Sequence, residues 1–297
     1  MKTIILLLLV LAAAGLANAQ PAKEATKPVI FAVLNDGTTL EPIGYLVDKK
    51  IEDAIDGGGE QDVLSLFHRR YFKPKTSHQL VFGGAASGLV SIKRSDPNEE
   101  CARHTAQVMV TSTRARLKGN VMALAVSSSV KVSGSGTRRA PTPAERSEIE
   151  ALVRTELAKN KVPAAAARKL HYQNLTALDV NADDDVEFVG SYWVQPTAKT
   201  RSLLFLIAEK KIDGRYEIKF SDFGSIKEED TMSSDITAVD SGVGHELLLD
   251  VLDIDDDGMS EIFTYTASFE GAGFNVYRRE KGKWTRIYEG ANYRCAF

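Results

Sequence analysis

"LDVNADDDVEF", Leu178 to Phe188, is answered further along by "LDIDDDGMSEIF", Leu252 to Phe263. Each stretch sets an oxygen-bearing side chain at every second position and adds another acid four residues after the third. Each runs into residues with strand character, "EFVGSYWV" in the first case and "EIFTYTAS" in the second. Working outward, the order repeats. The first loop and its strand lead to "SLLFLIAEKKIDGRYEIKFSDF", two strands about a turn at Asp213–Gly214. The second lead to "FNVYRREKGKWTRIYEG", two strands about a turn near Lys281–Gly282. Residues 175–297 are therefore expected to form a repeated β region of blade-like or hairpin units side by side.

Calcium is a hard cation that takes six to eight oxygen ligands, most readily from a tight loop with oxygens at its first, third and fifth positions. The second loop supplies Asp253, Asp255 and Asp257 there. Gly258 follows for the sharp turn, then the Met259 carbonyl, then Glu261 at the ninth position. The first loop supplies Asp179, Asn181, Asp183, Asp185 and Glu187 in the same frame. Its sixth residue is Asp184, which enters left-handed geometry less readily than glycine. The twelfth positions hold Gly190 and Thr264, so neither loop has the bidentate carboxylate of an EF-hand.

These loops resemble those of FG-GAP and VCBS-type repeats, the integrin-α-like propeller units, over the two loops and the strands that follow them. The resemblance implies that Asp253, Asp255, Asp257 and Glu261 ligate Ca²⁺ between strands of a blade, and that Asp179, Asn181, Asp183 and Glu187 do so in the first loop. The implied calcium is structural. Two departures stand out: there are two units where a propeller needs more, and no "FG…GAP" signature precedes either loop.

Upstream, "VIFAVLNDG", "HQLVFGG", "GLVSIKR", "QVMVTSTRARL" and "VMALAVSSSVKVSG" are β-branched or alternating and read as strands. "DVLSLFHRRYF" places Val63, Leu64, Phe67 and Tyr71 at helical spacing, with Asp62 as its expected cap. Residues 28–133 are thus expected to be a mostly antiparallel N-terminal β domain. "SGSGTRRAPTP" reads as a flexible connection within a linker and helix segment, 134–174. There Thr142, Pro143 and Glu145 compose a capping box with proline at the first helical position, and Ile149, Leu152, Val153 and Leu157 share one face. The expected class is α+β, dominated by antiparallel β-structure.

The chain opens "MKTIILLLLVLAAAGLANAQ", with Lys2, an apolar run and the small residues Ala17 to Ala19. This pattern predicts a signal peptide over 1–19, cleaved after Ala19, then a polar leader over 20–27 and a secreted or periplasmic protein. Nothing later is long and apolar enough to span a bilayer. A net charge of -3 and a pI near 6.0 argue against nucleic acid or anionic membrane as the main partner. In an oxidising compartment the two cysteines, Cys101 and Cys295, most simply form one disulfide. The five histidines lack zinc-ligand spacing.

No catalytic residue is assigned. Ser87 lacks the flanking glycines of a nucleophile elbow, and "HRRYFKPK", His68 to Lys75, reads as a solvated basic face. Tyr192, Trp193, Tyr265, Phe269, Phe274, Tyr277 and Trp284 crowd the repeated region, where aromatics pack as core or stack on sugars. Asn174 opens the glycosylation triplet "NLT". The functional expectation is an exported, calcium-stabilised, non-catalytic binding or envelope-associated protein with a protein or carbohydrate partner. The alternative is a secreted, polysaccharide-directed hydrolase with accessory calcium loops, which needs two carboxylates facing across a cleft at about 5–10 Å.

Overall fold

The computed structural model describes residues 27–55, 60–232 and 234–295. The expected signal peptide, its cleavage site and all of the leader except Lys27 lie outside the described residues. No described helix is long and apolar enough to cross a membrane.

The N-terminal part runs β1 (Val29–Leu34), β2 (Thr39–Val47), β3 (Lys50–Glu52), α1 (Gln61–Tyr71), β4 (Ser77–Phe82), β5 (Ala85–Arg94), β6 (Ala106–Thr111) and β7 (Ala123–Val126). Its strands pair in the order β1-β7-β4-β5-β6-β2-β3, and β1 pairs with β2 as well. Six of them therefore close into an antiparallel barrel, with β3 appended to β2. Closure at β2–β6 is narrow, Thr39 and Leu40 meeting Gln107 and Ala106. α1 sets Leu64, Phe67 and Tyr71 against the inward residues Phe31, Val33, Leu80 and Val90. Its N-cap is Glu60, without a side-chain cap bond, so Asp62 is not the expected cap. Asp62 lies inside the first turn, where a carboxylate suits the positive end of the helix dipole.

The rest runs β8 (Arg138–Arg139), α2 (Pro143–Lys159), α3 (Ala164–Ala167), β9 (His171–Leu178), β10 (Glu187–Thr197), β11 (Thr200–Lys210), β12 (Tyr216–Lys227), α4 (Thr237–Asp240), β13 (Glu246–Leu252), β14 (Glu261–Ala267), β15 (Gly271–Glu280) and β16 (Lys283–Tyr293). The strands form one sheet of order β12-β11-β10-β9-β8 and another of order β13-β14-β15-β16, both antiparallel. The two sequence units thus become two consecutive four-strand meanders, each with its acidic loop at the first turn. Among the described residues they compose no ring of propeller blades.

The layers explain why some strands alternate and others do not. β13, "ELLLDVL", is buried along nearly its whole length because both of its faces are covered. Leu247 and Leu249 meet Ile30, Ala32, Leu124 and Val126 on the outside of the barrel. Leu248 and Val251 meet Leu178, Val189, Phe205 and Ile207 of the β8–β12 sheet. The far face of that sheet receives Ile149, Val153 and Leu157 of α2. The capping box at Thr142 and Glu145 is present and fixes where α2 starts. Barrel, β13–β16 sheet, β8–β12 sheet and α2 form successive layers.

The aromatics Tyr192, Trp193, Phe274, Tyr277 and Trp284 are core residues, so none of them offers a sugar-stacking face. Asn174 is buried in β9. His245, between α4 and β13, is buried and its Nε2–H donates to the Val239 carbonyl at 2.9 Å. Burial pushes its pKa down to about 4, against the Val239 bond and the Asp240 charge. The unfolded imidazole binds its proton near 6.5. Its contribution to stability is therefore complete above about pH 6.5 and lost as the pH falls towards 4. The urea midpoint should decline across that window, and His245→Gln, which keeps a donor but cannot charge, should flatten the decline. An identical slope in the variant would refute the assignment.

Candidate metal centre

The two acidic loops share one backbone design. In the second, residues four and six, Asp256 and Gly258, have positive φ, 59° and 89°. In the first, Ala182 and Asp184 do the same at 57° and 68°. Asp184 therefore adopts the left-handed geometry that glycine enters more readily. In both loops the first aspartate accepts the fifth residue's N–H: Asp257 to Asp253 and Asp183 to Asp179, each at 3.3 Å. The fifth aspartate then accepts the seventh residue's N–H, Met259 at 2.8 Å and Asp185 at 2.9 Å.

The ninth-position glutamates act as clasps. Glu261 accepts the Ile254 N–H at 2.9 Å and Glu187 accepts the Val180 N–H at 3.2 Å. Both carboxyls are buried, and burial pushes Glu261 up to about 7 and Glu187 up to about 8. At Glu261 this is opposed by the Ile254 N–H and by Arg278, whose Nε donates at 2.6 Å. Glu261 thus has both oxygens engaged within the protein.

Asp253, Asp255 and Asp257 converge, each offering one carboxylate oxygen within 4.8 Å of the others. Glu261 is outside that group, and among the described residues the first loop forms no comparable cluster of acids. Its Asp183 instead accepts from Asn181 at 2.8 Å, and Asp185 pairs with Lys210 at 2.6 Å. One oxygen of Asp255, Oδ1, is buried without a hydrogen-bond partner. The other meets Arg278 at 3.2 Å. A buried, unpartnered carboxylate oxygen beside two further aspartates suits a hard cation, and the donor set is all oxygen. The residues fit calcium at the second loop better than at the first.

The loops also touch. The Ser260 N–H of the second donates to the Val180 carbonyl of the first at 2.7 Å. Lys49 donates to the Asp255 carbonyl, and Lys131 pairs with Asp256 at 2.8 Å, so cations from the barrel side hold the second loop. Sequence reasoning missed Arg278, Lys49 and Lys131, because a lone cation far along the chain carries no spacing signal. The cysteines pair as expected, Cys101 with Cys295.

No family model, curated protein or solved structure matches the chain. The functional reading therefore rests on the site alone.

Proposed function

We propose that the chain is an exported, non-catalytic binding or envelope-associated protein whose stacked C-terminal sheets are stapled by calcium. The observation that carries this reading is the convergence of Asp253, Asp255 and Asp257 around a buried, unpartnered Asp255 oxygen. On this reading those three carboxylates and the Met259 carbonyl hold the ion. Glu261 closes the loop, and Asp179, Asn181, Asp183, Asp185 and Glu187 form a weaker second position. The bound ion would neutralise clustered charge and tie β13 to β14; it activates no water. The resemblance to FG-GAP and VCBS-type loops supports this reading for the loop and its following strand alone. The disulfide supports a non-reducing compartment. For the hydrolase alternative, clefts of about 420, 460 and 490 Å³ are each lined by at most one acid, and a smaller one of about 170 Å³ carries Asp96 and Glu99, with Glu99 paired to Arg94 at 3.5 Å.

Thermal unfolding in EDTA and in about 2 mM Ca²⁺ tests the reading, since extracellular calcium modules bind at about 10⁻⁴ to 10⁻³ M. At tenfold excess over Kd a single site adds about 1.4 kcal/mol. The Tm should therefore rise by a few degrees, and Asp253→Ala with Asp255→Ala should abolish the rise. Equal melts in EDTA and calcium would leave the acids as solvated turns.

A further inference from the structure

A second place in the fold offers binding chemistry unrelated to the acidic loops. β8 pairs with β9 only at Leu178 and Ala177, so residues 171–176 of β9 form the border of their sheet. Between that border, the start of α2 and the barrel lies a cleft of about 460 Å³, a size common for small-molecule sites. No aspartate or glutamate lines it, whereas three arginines do. Arg138 is engaged by Asp250 at 2.8 Å and Arg139 by Glu145 at 2.7 Å. Arg146 has no carboxylate partner among the described residues. It is nonetheless held in place, 4.3 Å from the Tyr172 ring centre and donating to the Tyr172 hydroxyl at 2.9 Å.

The same cleft carries exposed apolar surface, Tyr172 at 46% and Val121 at 38%. It also includes Asn174, whose Oδ1 is buried with no hydrogen-bond partner. An unpartnered acceptor in a buried side chain is costly, and a ligand donor would satisfy it once the amide turns towards the cleft, since the oxygen itself has almost no exposed surface. An oriented guanidinium asks for a carboxylate, a tyrosine edge for a flat or ring-shaped body, and the free acceptor for a hydroxyl.

We propose that this cleft binds a small hydroxylated ring bearing one carboxylate, held by Arg146, Tyr172 and Asn174. Such chemistry comes from a uronic acid or from a hydroxybenzoate. The site does not depend on the calcium reading, because none of its residues belongs to either acidic loop.

Titration calorimetry on the mature protein in calcium buffer, with D-galacturonate and with 4-hydroxybenzoate, tests the proposal. One of the two should saturate, and its neutral counterpart, galactose or 4-hydroxybenzyl alcohol, should bind at least about tenfold more weakly. Arg146→Gln should weaken binding by a similar factor with an unchanged melt, since the side chain is only half-buried. In the wild type, the Asn174 side-chain amide signals should shift on titration, a readout that does not depend on any variant folding. Saturation by neither acid, equal binding of the neutral compounds, or Arg146→Gln binding like wild type would overturn the site.

Discussion

Asp250→Ala is expected to cost about 3–5 kcal/mol, the usual effect of breaking a buried ion pair from one side. Asp250 is fully buried in β13 and accepts from Arg138 at 2.8 Å, from the Gly83 and Gly84 N–H groups at 3.0 and 3.2 Å, and from Val251 N–H at 2.8 Å. Burial pushes its carboxyl up, while these donors, Arg138 foremost, oppose the shift. Arg138 is equally sequestered and also caps the Met122 and Leu249 carbonyls. Removing Asp250 strands that guanidinium and two glycine N–H groups at the junction of barrel and sheets. Gly83 and Gly84 have φ of 65° and 72°, and a Cβ on Gly83 would lie 2.7 Å from the Gly136 carbonyl oxygen. Residues 134–136, expected to be flexible, are bonded there through Gly134 N–H and Gly136 N–H. Denaturant unfolding should show the loss as a fall in midpoint and a Tm lower by roughly 10 °C. The double variant Arg138→Met, Asp250→Leu should recover part of it. A loss below about 1 kcal/mol would mean that the cluster contributes nothing beyond its burial.

The second large effect belongs to the C-terminal latch. Cys295 is tied to Cys101 across 194 residues, and closing so long a loop contributes up to about 5 kcal/mol in the chain-entropy account. Next to it Arg294 and Asn292 reach Glu41, which is fully buried in β2 and also meets His104 at 2.9 Å. Burial pushes Glu41 up, but His104 and Arg294 outweigh it and hold the carboxyl below its ordinary value. Its contribution is therefore complete above about pH 4.5 and lost as the pH falls through the lowered folded value. Cys101→Ser with Cys295→Ser should lower the Tm by roughly 10 °C at neutral pH, and oxidised wild type treated with reductant should match it. If the double variant melted with wild type, the tail would be held by Glu41 alone.

What could be read from the sequence was local or singular. Thr142, Pro143 and Glu145 lie within four residues and meet almost regardless of context, and the turns at Asp213–Gly214 and Lys281–Gly282 needed only their own backbone preferences. Both acidic loops declared themselves by spacing, and two cysteines leave one intramolecular pairing. Barrel closure was invisible, because it rests on two residue pairs, Thr39 with Gln107 and Leu40 with Ala106. The partners of Asp250 and Asp255 were equally hidden: Arg138 stands 112 residues away in what reads as a linker, and Arg278 lies on a different strand. The ninth-position glutamates were expected as ligands from their place in the loop, and their carboxylates also hold backbone N–H groups, Ile254 at Glu261 and Val180 at Glu187. The aromatics show the same limit, since alternation along a strand does not reveal that both faces are covered.

The four strands β13–β16 follow both of their neighbouring layers in the chain, yet they lie between them. Until residues 246–293 arrive, the barrel presents Ile30, Ala32, Leu124 and Val126 to solvent, and the β8–β12 sheet presents Leu178, Val189, Phe205 and Ile207. Neither outer layer can bury that surface alone. Burial of both apolar faces therefore waits on β13–β16, and until those strands are made the exposed surfaces are open to mis-association.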